Sequence, residues 1–324
     1  MGLKNLFWNS QQRRLRAFWR LVIQALLFLI IAVTLGAMAG LALAAWGVFR
    51  GGSEFAGQSL FRALNVAVVL VAVVASIWLA GRFLDRRRFA DFGFHFDRAW
   101  WLDLGFGLGL GAVLMAGIFL AERGLGWVTV TATFQSEAPG QPFGLSILLS
   151  LAGFLAVGLY EELWARGYQL RNLAEGLNWP AVGSQGGLLL AWLLSSALFG
   201  LLHAGNPNAS AASTGYLVVA GLFLGLGFIL TGELAIPIGL HIAWNFFQGN
   251  VFGFPVSGTD AGARFIAVAQ GGPDLWTGGA FGPEGGLVGL VAILVGSLLI
   301  LAWVRFHHGP IALRLSLAIK PDSE

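Results

Sequence analysis

Residues 147–166 read ILLSLAGFLAVGLYEELWAR. An apolar run, Ile147–Tyr160, carries no charge and then meets two carboxylates, Glu161 and Glu162, with Arg166 one helical turn after the second. Such a run reads as a membrane-spanning helix, which needs about 20 mostly apolar residues to cross ~30 Å of hydrocarbon. Ionisable groups at that depth are costly and usually face a cavity or one another. The conjunction recurs twice downstream. His203 closes the run Leu188–Leu202, and His241 stands just inside a run beginning at Ile236. Each has a partner at i,i+4: Glu162 with Arg166, Phe199 with His203, His241 with Asn245. Residues so spaced share one helix face, so three helices aim polar groups at one interior point.

The chain around these motifs is apolar throughout. Of its 324 residues 57% are hydrophobic and 11% charged, against about 25% charge in a soluble globular protein. The fold class is therefore all-α: a polytopic membrane bundle of about eight transmembrane helices. Cysteine is absent, which excludes disulfides, thiolate metal sites and a cysteine nucleophile. The pI near 9.8 does not indicate nucleic acid, because the basic residues sit beside apolar runs, a pattern of membrane topology.

The expected spans are 18–48, 61–83, 101–121, 145–165, 186–205, 213–231, 235–252 and 286–305. They form a single membrane domain over 1–324. Its parts are a basic interfacial N-terminus (1–17), a motif-bearing core (145–250), a long Gly/Pro-rich outer loop (253–285) and a tail (306–324). Lys4, Arg13, Arg14, Arg16 and Arg20, interleaved with Phe7, Trp8, Phe18 and Trp19, suit an amphipathic surface helix. If the N-terminus is cytosolic, only Arg50, Arg62, Arg123 and Arg264 fall outside, and both termini are cytosolic in a prokaryotic cell membrane. Gly105, Gly107, Gly109 and Gly111 form two overlapping GxxxG pairs, and Gly221 and Gly225 another. No strand precedes them as a dinucleotide site requires, so they read as close helix packing.

The chemistry follows from the side chains. Consecutive helix residues point about 100° apart, so Glu162 can pair with Arg166 while Glu161 faces elsewhere and binds a water. Desolvation moves such a carboxylate toward general-base work near neutral pH. His241 and Asn245, two potential donors one turn apart, suit an oxyanion cradle, although interhelical polar bonding is an equally ordinary use of such residues. His95, His307 and His308 read as solvated. Zinc-protease spacing (H-E-x-x-H) is absent, neither Ser195 nor Ser196 sits in a strained Gly-x-Ser-x-Gly turn, and Asp103 is the one aspartate placed in a span.

Glu161-Glu162-Leu-Trp-Ala-Arg166, Phe199-x-x-x-His203 and His241-x-x-x-Asn245, in this order, resemble the three motifs of the CPBP family, the type II CAAX prenyl endopeptidases and their relatives in bacteriocin processing and self-immunity. The resemblance covers about residues 145–250. It implies an intramembrane endopeptidase acting on a membrane-associated peptide, CAAX-type and prenylated or leader-like. It further implies that Glu161 and His203 activate water, that His241 and Asn245 stabilise the oxyanion, and that Glu162, Arg166 and Phe199 support them. No cofactor is expected. The alternative is zinc held by Glu161, His203 and His241, with a fourth position for water. The expected partners are membrane lipids and the peptide substrate, with no nucleic acid. A transporter or a non-catalytic scaffold using the same polar cluster is the rival reading; a transporter would favour internal repeats, and none is seen.

Overall fold

The computed structural model describes residues 4–10, 12–50, 54–137 and 140–320. The side chains of Lys4 and Arg50, two of the charges used to orient the chain, lie outside the described set. In chain order the elements are α1 (Lys4–Phe7), β1 (Trp8–Asn9), β2 (Arg14–Leu15), α2 (Ala17–Arg50) and α3 (Glu54–Ala80), which a π turn, Gly81–Asp85, prolongs. Next come α4 (Arg98–Gly124), β3 (Val128–Gln135), α5 (Phe143–Glu162), a π-helix (Leu163–Leu170), α6 (Arg171–Leu177), α7 (Gly183–Leu202) and α8 (Ala211–Thr231). The last are α9 (Ala235–Phe246) with a π turn (Phe247–Val251), β4 (Arg264–Gln270), α10 (Asp274–Thr277) and α11 (Leu287–His307). Local signals set several ends. Asp97 accepts from Trp100 N at 2.8 Å to cap α4, Ser210 accepts from Ser213 N at 3.1 Å to cap α8, and Gly232 ends α8 at φ +82°.

Seven helices among the described residues are long and apolar enough to span a membrane, and the chain is a multi-pass helical membrane protein. One is far longer than the sequence pattern suggests: α5, the π-helix and α6 run continuously over Phe143–Leu177, 35 residues. The expected seventh span, 235–252, falls outside those seven and is a 12-residue α-helix with a π turn. Residues Ala235 to Trp244 of it are all buried, so α9 is wrapped by protein rather than lipid.

Glycine makes that enclosure possible. A Cβ on Gly107 would lie 2.5 Å from Ile236 O, one on Gly111 2.7 Å from Leu240 O, and one on Gly239 2.4 Å from Leu104 O. The backbones of α4 and α9 therefore touch directly. Gly158 of α5 closes the other side, since a Cβ there would lie 2.5 Å from Ile242 Cγ1. Gly105 and Gly109 have open space around them, so only one of the two overlapping pairs in α4 does the packing.

Three segments depart from the sequence reading. The expected surface helix over 1–17 is a four-residue helix followed by the β1–β2 pair, and Arg14 and Arg20 are buried. Arg14 donates to Glu175 Oε2 at 2.6 Å, and Arg20 donates to the same oxygen at 2.9 Å and to Asp85; Arg87 also donates to Glu175. Buried charge must be paired, and these arginines are pinned to α6 and to the end of α3. The outer loop carries β4, which pairs antiparallel with β3 from Val128↔Gln270 to Gln135↔Arg264. His308 is not solvated: its Nε2 lies 3.0 Å from Asp103 Oδ1, which also accepts from Trp303 Nε1 at 2.8 Å.

The glycine contacts give an asymmetric expectation. Gly107→Ala forces backbone apart and should cost about 1–3 kcal/mol, the usual penalty of overpacking. Gly105→Ala meets nothing and should stay within about 1 kcal/mol of the parent, since Ala is the better helix former. Thermal unfolding of the two variants in detergent checks the ordering.

Candidate active site

The length of the α5 element removes a conflict in the sequence. With a span ending near 165, Glu161 falls at one membrane face and His203 at the other. Counted from the turn at 178–182, Glu161 lies about 24 Å along one arm and His203 about 30 Å along the other, at ~1.5 Å per residue. The two residues therefore reach similar depth. Glu161, His203, His241 and Asn245 all line one cavity of about 650 Å³, walled by apolar side chains that include Phe28, Val73 and Phe154.

The two glutamates have separate environments. The Glu162 side chain is fully buried, and its Oε1 accepts from Arg166 Nη1 at 2.8 Å and from His241 Nδ1 at 2.8 Å. Arg166 also donates from Nη2 to Gly221 O at 2.9 Å, and its guanidinium stands 4.5 Å over the Phe199 ring, a cation–π contact in a dry setting. The Glu161 side chain keeps 24% exposure, and its Oε2 lies 3.9 Å from His241 Nε2. One carboxylate is thus consumed by structure while the other faces the cavity.

Hydrogen-bond partners fix the imidazoles. His203 caps α7, and Nδ1 lies 2.7 Å from Phe199 O; a carbonyl only accepts, so Nδ1 carries the proton and Nε2 is left unprotonated in the neutral ring. His241 gives its Nδ1 proton to the Glu162 carboxylate in the same way, which orients Nε2 toward Glu161. Phe199 contacts both rings, at centroid distances of 4.8 Å to His203 and 6.1 Å to His241. That contact explains the spacing Phe199-x-x-x-His203. Among the described residues no group of three His, Cys, Asp or Glu is drawn together as a metal cluster.

Sequence reasoning missed one wall. Ser257, Thr259 and Glu284 come from the outer loop and line the same cavity. Glu284 accepts from Ser257 N at 2.6 Å and from Gln248. Burial pushes its carboxyl up to about 7, more than the donors from Ser257 and Gln248 pull it down. A lone Gly-Pro-Glu before an apolar run gives no periodic signal that could have assigned it to the site.

A bundle of long apolar helices enclosing glutamates and histidines in a cavity defines a polytopic membrane protein with an intramembrane polar site. The family model described as type II CAAX prenyl endopeptidase Rce1-like matches residues 143–247, the stretch holding all three motifs. Over that third of the chain the protein is similar to the CPBP family, which supports a CAAX-type intramembrane protease in general terms. No curated protein and no solved structure matches the chain.

Two outcomes follow. Glu162→Gln leaves Arg166 without its counter-charge and should cost about 3–5 kcal/mol in thermal unfolding, whereas Glu161→Gln should cost little; equal losses would contradict the assignment. Glu284 binds its proton more tightly folded than unfolded. Its stabilising contribution is full below about pH 4.5 and is lost as pH rises through about 7. A pH series of melting temperatures should show this slope, flattened in Glu284→Gln.

Proposed function

We propose that this protein hydrolyses a peptide bond in a membrane-associated, CAAX-type substrate by means of a water activated at Glu161. The observation that carries the reading is that Glu161, His203, His241 and Asn245 line one cavity. Of the two motif glutamates, Glu161 is the one not paired with Arg166, and a base must be within reach of the proton it takes. Water bound between Glu161 and the unprotonated Nε2 of His203 attacks the scissile carbonyl. The water proton passes to Glu161, and the C–N bond then breaks as Glu161 returns that proton to the leaving amine. The oxyanion formed in between is met by Asn245 Nδ2.

His241 has a more particular part in this scheme. Its Nδ1 proton is held by Glu162, so Nε2 donates to an oxyanion only when it too is protonated. Nε2 lies 3.9 Å from Glu161, close enough after a small approach to hold the water proton while the oxyanion lasts and to hand it back to Glu161 before the C–N bond breaks. Glu162 would then neutralise the imidazolium. No step requires a metal. The cavity walls are mainly apolar, and low-dielectric surroundings strengthen each of these interactions. The N-terminus is assigned to the cytosol, the side that holds most of the arginines.

The test uses the full chain in liposomes with a farnesylated fluorogenic CAAX peptide and its unprenylated control. Glu161→Gln and His203→Ala should abolish cleavage. Asn245→Ala should lower kcat by roughly 100–1000-fold, the effect of one oxyanion donor, with KM nearly kept. Activity should survive chelators. Full activity in Glu161→Gln rejects the mechanism, and loss on chelation with rescue by zinc replaces it with metal chemistry.

A further inference from the structure

A second, smaller cavity lies away from the active site. It measures about 120 Å³ and is lined by Trp78, Gly81, Arg82, Arg87, Arg88 and Phe89, with Phe92 behind it. The local backbone builds it. The π turn Gly81–Asp85 ends at Arg86, whose left-handed conformation (φ +55°) reverses the chain. Arg87 is thereby turned inward and is 7% exposed, while Arg82 and Arg88 stay at the surface. Gly81 keeps the space open, since a Cβ there would lie 2.7 Å from Phe92 Cε2.

The charges around this cavity do not balance. Arg87 gives Nη2 to Glu175, but its Nη1 is buried with no hydrogen-bond partner among the described residues. Glu175 is shared with Arg14 and Arg20. Arg82 and Arg88 form no ion pair among the described residues. A buried guanidinium donor without an acceptor is costly, and three guanidiniums around a small cavity suit a tetrahedral oxyanion better than a planar or apolar ligand. Its position fits a lipid. Trp78, in the last turn of α3, is 52% exposed, and Phe83 in the π turn is also exposed, as aromatic residues are at a membrane interface. Basic pockets beside membrane helices on the positive side hold anionic headgroups.

We propose that this pocket binds a phosphate group, supplied by the headgroup of an anionic phospholipid, with Arg82, Arg87 and Arg88 donating to its oxygens and the acyl chains lying along Trp78 and Phe83. The site is separate from the hydrolytic cavity, and the proposal does not depend on the chain being a protease.

Thermal unfolding of the full chain in detergent micelles tests it. Phosphatidylglycerol is titrated in one arm, inorganic phosphate in a second, and sodium chloride at matched ionic strength in a third. Arg82→Gln/Arg88→Gln is the comparison variant; both side chains are exposed and the Arg87–Glu175 pair is untouched. The expected result is a saturable rise in melting temperature with phosphatidylglycerol, half-saturating at about tenfold higher lipid in the variant, as loss of charge-assisted bonds implies. Saturation by inorganic phosphate alone would assign the pocket to the free anion and overturn the lipid as its source. A parent chain that responds to phosphatidylglycerol no more than to salt overturns the proposal, whatever the variant does. So does an equal response in parent and variant.

Discussion

Burying the carboxylate of Glu162 inside a membrane bundle is the constraint from which the rest of the site follows. An ionised carboxylate removed from water is affordable only with counter-charge and hydrogen bonds close by. Glu162 has both on one oxygen: Arg166 from the next turn and His241 from α9. Arg166 in turn donates to Gly221 O on α8 and lies over Phe199 on α7. One buried charge thus ties together α5, α7, α8 and α9, the four helices that carry or support the three motifs. The glycines of α4 and α5 are the geometric counterpart. Without Gly107, Gly111 and Gly158 the backbone of α9 would stand off, and His241 would not reach Glu162.

The π-helix beginning at Leu163, directly after the glutamates, has a related effect. π segments widen a helix and recur at functional sites. Here the segment carries Arg166 and Gly167, and it lets α5 continue into α6 instead of ending at a membrane face. Gly167 allows the widened turn to sit against Phe92 O, 3.1 Å from where a Cβ would be. The 35-residue element is held at its far end by Glu175 and three arginines. The depth of the glutamates is therefore set at the arginine-rich end of the protein, more than three helical turns from Glu161.

Much of this was legible in the sequence because membranes make polar residues conspicuous. Glu161, Glu162, Arg166, His203, His241 and Asn245 stand out against apolar runs, and their i,i+4 spacings survive folding whatever the helix register. The helical class follows from the same contrast. What was not legible depends on contacts between distant segments. A helix enclosed by protein and a helix facing lipid share one hydropathy signal, so the burial of α9 inside the bundle was not legible. The alternating Val and Thr of 128–131 are a strand signal that the surrounding apolar helices overshadow, and its partner β4 has no comparable pattern. Arg14 and Arg20 read as interfacial charge because Glu175, the carboxylate that buries them, lies far away in sequence. Asp103 and His308 are hidden from each other in the same way.

The outer loop has a chemical consequence beyond covering the cavity. Glu284 shares that mainly apolar-walled cavity with Glu161. Ser257 and Gln248 hold the Glu284 carboxyl by hydrogen bonds instead of by a cation, and burial raises its titration to about 7. Below that pH Glu284 is a neutral acid and adds no negative field to the cavity; above it, it adds a negative charge to the cavity that Glu161 also lines. The loop that walls one side of the cavity therefore also contributes a titratable group to the surroundings of Glu161, and it does so from a segment that carries none of the three motifs.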